Sequence, residues 1–198
     1  MKPLPTQKRA LEKRAALVNA AQISFAENGY EATTAKTIAA KAEVATGTFY
    51  QYFDNKDDML RVIAQKKRDE IYQAMPELAA RVIETAAPST EDLFRDVLEL
   101  IYSYHEAEAE LHQVLEQRRV NDPELDAILL RSEDIMEDKV RQFVKTFNKD
   151  NPEAVAYNLF AMAEGLVHRH VFGNPDTGKQ ETLDLGARML ACYFDCQH

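Results

Sequence analysis

Apolar positions recur every three to four residues along almost the whole chain, and no run alternates apolar and β-branched residues long enough to form a strand. The pattern predicts an all-α protein of about nine helices. The first, over about 11–28, carries Ala15, Val18, Ala21 and Phe25 on one stripe. It ends at Gly29, which can take the left-handed cap position and let Tyr30 fold back onto Phe25. A short helix over about 35–42 has Thr34 as its cap and Ile38 and Ala39 facing inward. Another spans about 45–52. A longer one opens at Asn55, with Asp57 and Asp58 where the helix dipole favours acids, and is expected to stop at about 75, before Pro76.

Farther along, Ser89 or Thr90 caps a helix carrying Leu93, Val97, Leu100, Ile101 and Tyr104, and a further helix covers about 108–119. Asp122 before Pro123 and Asn151 before Pro152 each place proline at a first helical position, so two more helices begin there. The last begins near Thr177, in a capping box with Gln180. Glycine and proline fall mostly at the junctions.

The stretch TGTFYQYF, residues 46–53, puts four aromatic rings within five residues. Two short helices joined by a tight turn have the form of a helix-turn-helix, whose first helix braces the second in the DNA major groove. At about 100° per residue, Thr46, Gly47 and Tyr50 share one arc of the second helix, while Thr48, Phe49 and Tyr52 lie on another. Phe49 and Phe53 suit the core, leaving Thr46 and Tyr50 free to meet DNA. Glycine within a helix costs about 1 kcal/mol relative to alanine, and close approach of the backbone to another surface is one reason to keep Gly47.

The charge distribution changes the picture that composition alone suggests. The net charge of −9 argues against a polyanionic partner. Residues 1–56, however, carry +3 and the remainder −12, which suggests a basic module on an acidic body. Lys8, Arg9, Lys13 and Arg14 form a basic arm before the first helix, of a kind that reaches phosphates or a minor groove. The chain has 198 residues, enough for one sizeable domain or a small one joined to a larger, and 45% hydrophobic composition is ordinary for a globular protein. No run approaches the ~20 apolar residues of a membrane span, and the N-terminus lacks the apolar core of a signal peptide. A cytoplasmic protein without a membrane partner is expected.

FAENGYEATTAKTIAAKAEVATGTFYQYFDNKDDML closely resembles the DNA-binding domain of the tetracycline-repressor (TetR) family of bacterial transcription regulators. The register includes the Gly29-Tyr30 corner, Thr33-Thr34, Ile38-Ala39, Val44, Gly47-Thr48, Tyr50, Phe53, Lys56 and Leu60. The resemblance implies a homodimer that binds operator DNA through residues 1–56 and senses a small-molecule effector through a C-terminal domain, residues 57–198, which also dimerises. It implies that Thr34, Tyr52 and Lys56 grip phosphates, and that Thr46, Gly47 and Tyr50 face bases, with Thr48 in the same DNA-binding set. Two positions depart from the family pattern. Glu43 stands where the turn usually has glycine, and Ala45 where serine usually caps the recognition helix.

By the same resemblance, helices over about 152–172 and 177–194 form a four-helix interface with their twins, through Leu159, Met162, Leu166, Leu185, Met189 and Tyr193. The effector pocket would be lined by Phe94, Leu98, Tyr102, His105, Leu115, Arg118, Phe143, Phe160, Glu164 and His168. Two cysteines are too few for a disulfide framework. Cys192 and Cys196, with His198, His168 and His170, raise metal binding as an alternative, but a complete site needs a ligand from elsewhere, and neither a metal nor another cofactor is expected. No phosphate-cradling loop or nucleophile elbow points to an enzyme. A helical protein-binding adaptor is the alternative function; it would share the composition without needing Gly47 beside Tyr50 or the basic N-terminal quarter.

Overall fold

The computed structural model describes residues 2–84, 89–147, 150–173 and 175–196, with backbone only at 71 and 74–84. Among the described residues there are nine helices and no strand: α1 (Lys8–Ala32), α2 (Ala35–Lys41), α3 (Thr46–Tyr52), α4 (Lys56–Glu84), α5 (Thr90–Ala107), α6 (Ala109–Arg119), α7 (Pro123–Lys145), α8 (Pro152–Val171) and α9 (Lys179–Asp195). None is long and apolar enough to cross a membrane.

Local chemistry sets most helix starts. The Thr34 hydroxyl accepts from the Thr37 amide at 3.1 Å, and Thr37 reaches back to the Thr34 amide at 2.9 Å. Asn55 accepts from the Asp58 amide at 2.8 Å while Asp58 accepts from the Asp54 amide at 3.1 Å. Ser89 accepts from the Asp92 amide at 3.1 Å, and Asp122 accepts from the Leu125 amide at 3.0 Å. Asn151 caps α8 from a left-handed conformation, φ 49°, one that asparagine tolerates.

Several boundaries and faces differ from expectation. The first helix starts at Lys8, so Lys8, Arg9, Lys13 and Arg14 sit on its first turns instead of an arm. Gly29 does leave helical geometry, at φ 70° and ψ 177°, but one more turn follows it. Ala15 is exposed, and Leu17 and Ala20 join Val18, Ala21 and Phe25 on the buried face. Pro76 does not end α4: its fixed φ is itself helical, and its cost there is the missing backbone hydrogen bond and a crowded preceding turn. On α5 the buried row is Phe94, Leu98, Tyr102 and His105, with Tyr104 exposed, because this rotation hides the larger aromatic area. No capping box opens α9; Gly178 takes the cap position, and Thr177 pairs with the Thr182 hydroxyl instead, at 3.2 Å.

Two compact units result, each from separated stretches of chain: residues 1–70 with 108–131, and residues 71–107 with 132–198. In the first, α1 packs on α2 and α6, and α2 on α3. Leu17, Phe25, Ile38, Phe49, Phe53, Met59, Leu60 and Ile63 are fully buried there, and Leu111, Val114, Leu115 and Leu125 complete the core. In the second, α5 packs on α8 and α9. Its core joins Phe94, Leu98 and Tyr102 to Val167, Leu183, Ala187 and Phe194, with Phe147 and Phe194 ring centroids 4.8 Å apart. A Cβ at Gly186 would approach Leu98 and Leu166 to 3.2 and 3.3 Å, so α9 fits closely there.

Candidate nucleic-acid interface

The first unit holds α3 from behind and from both ends. Behind it, Phe49 and Phe53 are fully buried with ring centroids 5.5 Å apart. The Arg14 guanidinium lies 5.2 Å from the Phe53 ring centroid, so a basic residue of α1 braces α3 from within the unit. In front, Thr46, Gly47 and Tyr50 are exposed, Tyr50 by 52%, and Tyr50 stands edge-on to Phe49 at 5.3 Å. The ring is therefore steadied at its base and open at its hydroxyl. Thr48 and Tyr52 are half-buried, and Tyr52 packs against the core of this unit.

Gly47 has ordinary helical backbone, and a Cβ built there meets nothing within 4 Å. Nothing among the described residues therefore requires glycine at this point. The turn before α3 is different. Glu43 adopts φ 55°, the left-handed conformation that glycine enters freely and other L-residues only at a cost. The turn is nevertheless closed, with the Glu43 amide donating to the Ala40 carbonyl at 3.1 Å and the Val44 amide to Ala39 at 3.0 Å. Ala45 occupies the cap position of α3 and offers no side-chain acceptor to the amides of its first turn.

At the far end, Thr33 is buried, and its hydroxyl donates to the Gly29 carbonyl at 2.7 Å and the Ser24 carbonyl at 3.0 Å. This pins the corner on which Tyr30 stacks against Phe25, centroids 5.8 Å apart. The Tyr30 hydroxyl donates to Asp57, and burial together with that carboxylate pushes its pKa well above the usual phenol value. Lys56 donates to the Tyr30 carbonyl at 2.9 Å and lies 3.9 Å from the Tyr30 ring centroid. Arg118 lies 4.1 Å from the same ring and 3.3 Å from Asp57. Lys56 is thus a half-buried member of the corner, and Thr34, exposed beside it, spends its hydroxyl on its own helix. Lys2, not singled out from sequence, donates to the Tyr50 carbonyl and stands 3.4 Å from Asp54. Its only sequence signal is membership of the basic N-terminal quarter.

Of the residues expected to line an effector pocket, Phe94, Leu98, Tyr102, His105, Phe143, Phe160, Glu164 and His168 belong to the second unit, whereas Leu115 and Arg118 belong to the first. Phe94, Leu98 and Tyr102 are core residues. The Tyr102 hydroxyl is buried without a hydrogen bond to another described residue, and burial with the nearby Glu106 pushes its pKa up to about 12. His105 and His168 meet at 3.1 Å between Nε2 atoms, and Glu164 lies 3.1 Å from His168. Lys179 was missed from sequence: it lies 5.1 Å from the Tyr102 ring centroid and pairs with Glu99 at 3.0 Å and Glu106 at 2.8 Å. Those partners come from a helix more than 70 residues away, which local pattern does not reveal.

Of the expected dimer residues, Leu185, Met189 and Tyr193 form an exposed row on α9, while Leu159, Met162 and Leu166 are half-buried on α8 against the core. Cys192 and Cys196 are exposed and form no disulfide among the described residues, and His198 lies outside those residues.

Residues 17–63 match the family model of bacterial regulatory proteins, tetR family. The HTH-type transcriptional regulator HbdR of Aromatoleum sp. (strain CIB) is 42% identical over 65 residues, 33% of this chain and 28% of that protein. The HTH-type transcriptional repressor KstR2 of Rhodococcus jostii (strain RHA1) is 32% identical over 97 residues, 49% of this chain and 47% of that protein. The chain thus aligns with less than half the length of these curated relatives. A crystal structure described as a TetR-family transcriptional regulator from Mesorhizobium loti superposes with a TM-score of 0.77 at 19% identity, over 95% of this chain and 97% of that one. The fatty acid degradation regulator FadR from Bacillus halodurans does so with 0.65 at 19% identity, over 96% and 97%. These two likenesses speak for the fold. Residues 17–63 thus carry a helix-turn-helix domain like that of the tetR family of bacterial regulatory proteins, and the described helices share the all-helical fold of these solved structures.

Proposed function

We propose that the chain is a homodimeric repressor that binds a palindromic operator and releases it when a small molecule occupies its C-terminal region. Thr46, Gly47 and Tyr50 face bases, Thr48 lies at the edge of that surface, and Thr34, Tyr52 and Lys56 approach phosphates. DNA reading belongs to residues 1–56, effector binding and dimerisation to 57–198. The observation that carries this reading is Gly47, a glycine on an exposed helix face that no neighbour in the chain requires. A surface that must bring its backbone close to another molecule gives it a reason, and the exposed Tyr50 ring beside it can contact a thymine methyl or sugar while its hydroxyl reaches a phosphate.

Two recognition helices about 34 Å apart read successive major grooves, which one short helix cannot do alone. The exposed row Leu185, Met189 and Tyr193 on α9 supports dimerisation through α8 and α9. The buried Tyr102 hydroxyl supports a polar ligand group reaching the second unit, with Phe94, Leu98, Phe143 and Phe160 supplying apolar surface. Release follows if the ligand favours a dimer whose helix spacing no longer matches the groove. Repression agrees with the role of the similar Rhodococcus protein, a transcriptional repressor by name.

Selection of bound sequences from a random duplex library at fixed, near-physiological salt tests the reading. A palindrome should be enriched, and Tyr50→Phe should bind the winning duplex several-fold more weakly with an unchanged melting temperature. Failure of a folded dimer to enrich any sequence would instead favour a protein-binding adaptor.

A further inference from the structure

Within the first unit, α3 is seven residues long and its last turn holds no basic residue of its own. The final carbonyls of such a helix need donors from outside it. The Phe53 amide serves the Phe49 carbonyl at 3.0 Å. The Asp54 amide, next in that series and due to the Tyr50 carbonyl, turns instead to Asp58 Oδ2 at 3.1 Å, where α4 begins. The Tyr50 carbonyl thus loses its helical donor, and the Lys2 ammonium donates to it. The same ammonium stands 3.4 Å from an Asp54 carboxylate oxygen, and 33% of the Lys2 side chain stays exposed. A cation there also meets the negative end of the helix dipole. The Arg14 guanidinium lies 5.2 Å from the Phe53 ring centroid, so the start of α1 sits beside this end of α3, within reach of the non-helical residues that precede it.

We propose that Lys2 is a positioning residue for DNA reading: from the segment ahead of α1 it straps the last turn of α3 and fixes the backbone that carries Tyr50. The inference rests on the reading of α3 as the base-facing helix and adds a residue that itself touches neither base nor phosphate. A helix this short gains little from its own cooperativity, so its end frays unless side chains hold it. Tyr50 lies in that end, with its ring 52% exposed and one edge against Phe49. Chains whose last turn is open present Tyr50 in the wrong place, and apparent affinity falls with the fraction that is closed. Losing a charge-assisted hydrogen bond at a partly exposed site shifts that equilibrium by about three- to tenfold. Salt separates this role from direct contact, because a lysine on a phosphate releases counterions and a positioning lysine does not.

Lys2→Met in the full chain removes the donor and keeps most of the stem. In the free protein, amide hydrogen exchange at Phe53 should become about two- to tenfold faster, while the buried Phe25 amide of α1 keeps its protection and the melting temperature is unchanged. On the duplex selected by the wild type, affinity should fall at least about twofold with the same slope of log affinity against log salt, and Lys2→Arg should restore both exchange and affinity. A slope flatter by about 0.9 would make Lys2 a phosphate contact, tighter binding would make the segment an autoinhibitory cover, and unchanged exchange at Phe53 would show that Lys2 does not hold the turn; each result overturns the proposal. Failure of the wild type to select any duplex would defeat the operator reading instead, and the exchange measurement would then decide the strap by itself.

Discussion

Replacing Gly47 by alanine should make the protein more stable and a poorer DNA binder. Gly47 lies on α3 with helical backbone and open space where a Cβ would go, so the added methyl meets no protein atom. The folded state then gains the alanine advantage of about 0.5–1 kcal/mol, near the lower figure because α3 has only seven residues and Gly47 lies in its first turn. For a chain of this size that raises the melting temperature by about 1–4 °C. Against DNA the same methyl enters a surface proposed to be in close contact, where overpacking costs about 1–3 kcal/mol, or roughly 5- to 150-fold in affinity. Calorimetric melting and titration of the selected duplex at fixed salt read the two effects separately. A raised melting temperature with undiminished affinity would refute the close approach of α3 to DNA; a lowered one would refute the open space around Gly47.

Lys56→Ala should lower the melting temperature by roughly 2–8 °C, since it removes a charged hydrogen bond to the Tyr30 carbonyl and the contact with its ring, together about 1–2 kcal/mol at a half-buried site; equal melting of both proteins would show that the corner does not depend on Lys56. Asp122→Asn should cost about 1–3 kcal/mol at neutral pH, less than for a fully buried pair because Arg61 keeps 24% of its side chain exposed. Burial alone would push the Asp122 carboxyl up, but Arg61 and the Leu125 and Glu124 amides hold it below its ordinary value. Its stabilisation is therefore present above about pH 4, the ordinary carboxylate range, and lost as pH falls through the lower folded value, so below about pH 4 the wild type should lose stability more steeply than Asp122→Asn in denaturant titrations. If the proposed dimer forms through α9, Leu185→Glu with Met189→Glu should make it a monomer in analytical ultracentrifugation and weaken operator binding, because two charges would replace the exposed apolar row; an unchanged sedimentation coefficient would refute that interface. Phe49→Ala, at a fully buried ring, should destabilise the first unit by about 3–5 kcal/mol by thermal melting.

What was legible in the sequence was mainly what is local. Thr34, Asn55, Asp122 and Asn151 announce their helices because a cap and the amides it satisfies lie within three residues. The helix-turn-helix was legible for the same reason, its aromatic core and exposed face alternating within eight residues. The rotation of α5 was not, because two apolar rows were available and packing against α8 and α9 selects between them. Nor was the meeting of His105 with His168, whose positions differ by 63 residues. Glu43 marks the reverse case: sequence flagged an unsuitable residue, and the left-handed turn persists because its neighbours and hydrogen bonds over-determine it.

The core beneath the recognition helix is finished by Leu111, Val114, Leu115 and Leu125, which come from beyond a long excursion of the chain. A reading head excised at residue 56 would leave behind Met59, Leu60 and Ile63 as well as these four, and so would carry only part of its own interior. Transplanting this unit onto another chain therefore means moving two separated gene segments together, residues 1–70 and 108–131. Recombination at a single crossover cannot exchange it intact, which ties the inheritance of the helix-turn-helix to that of a stretch midway along the chain.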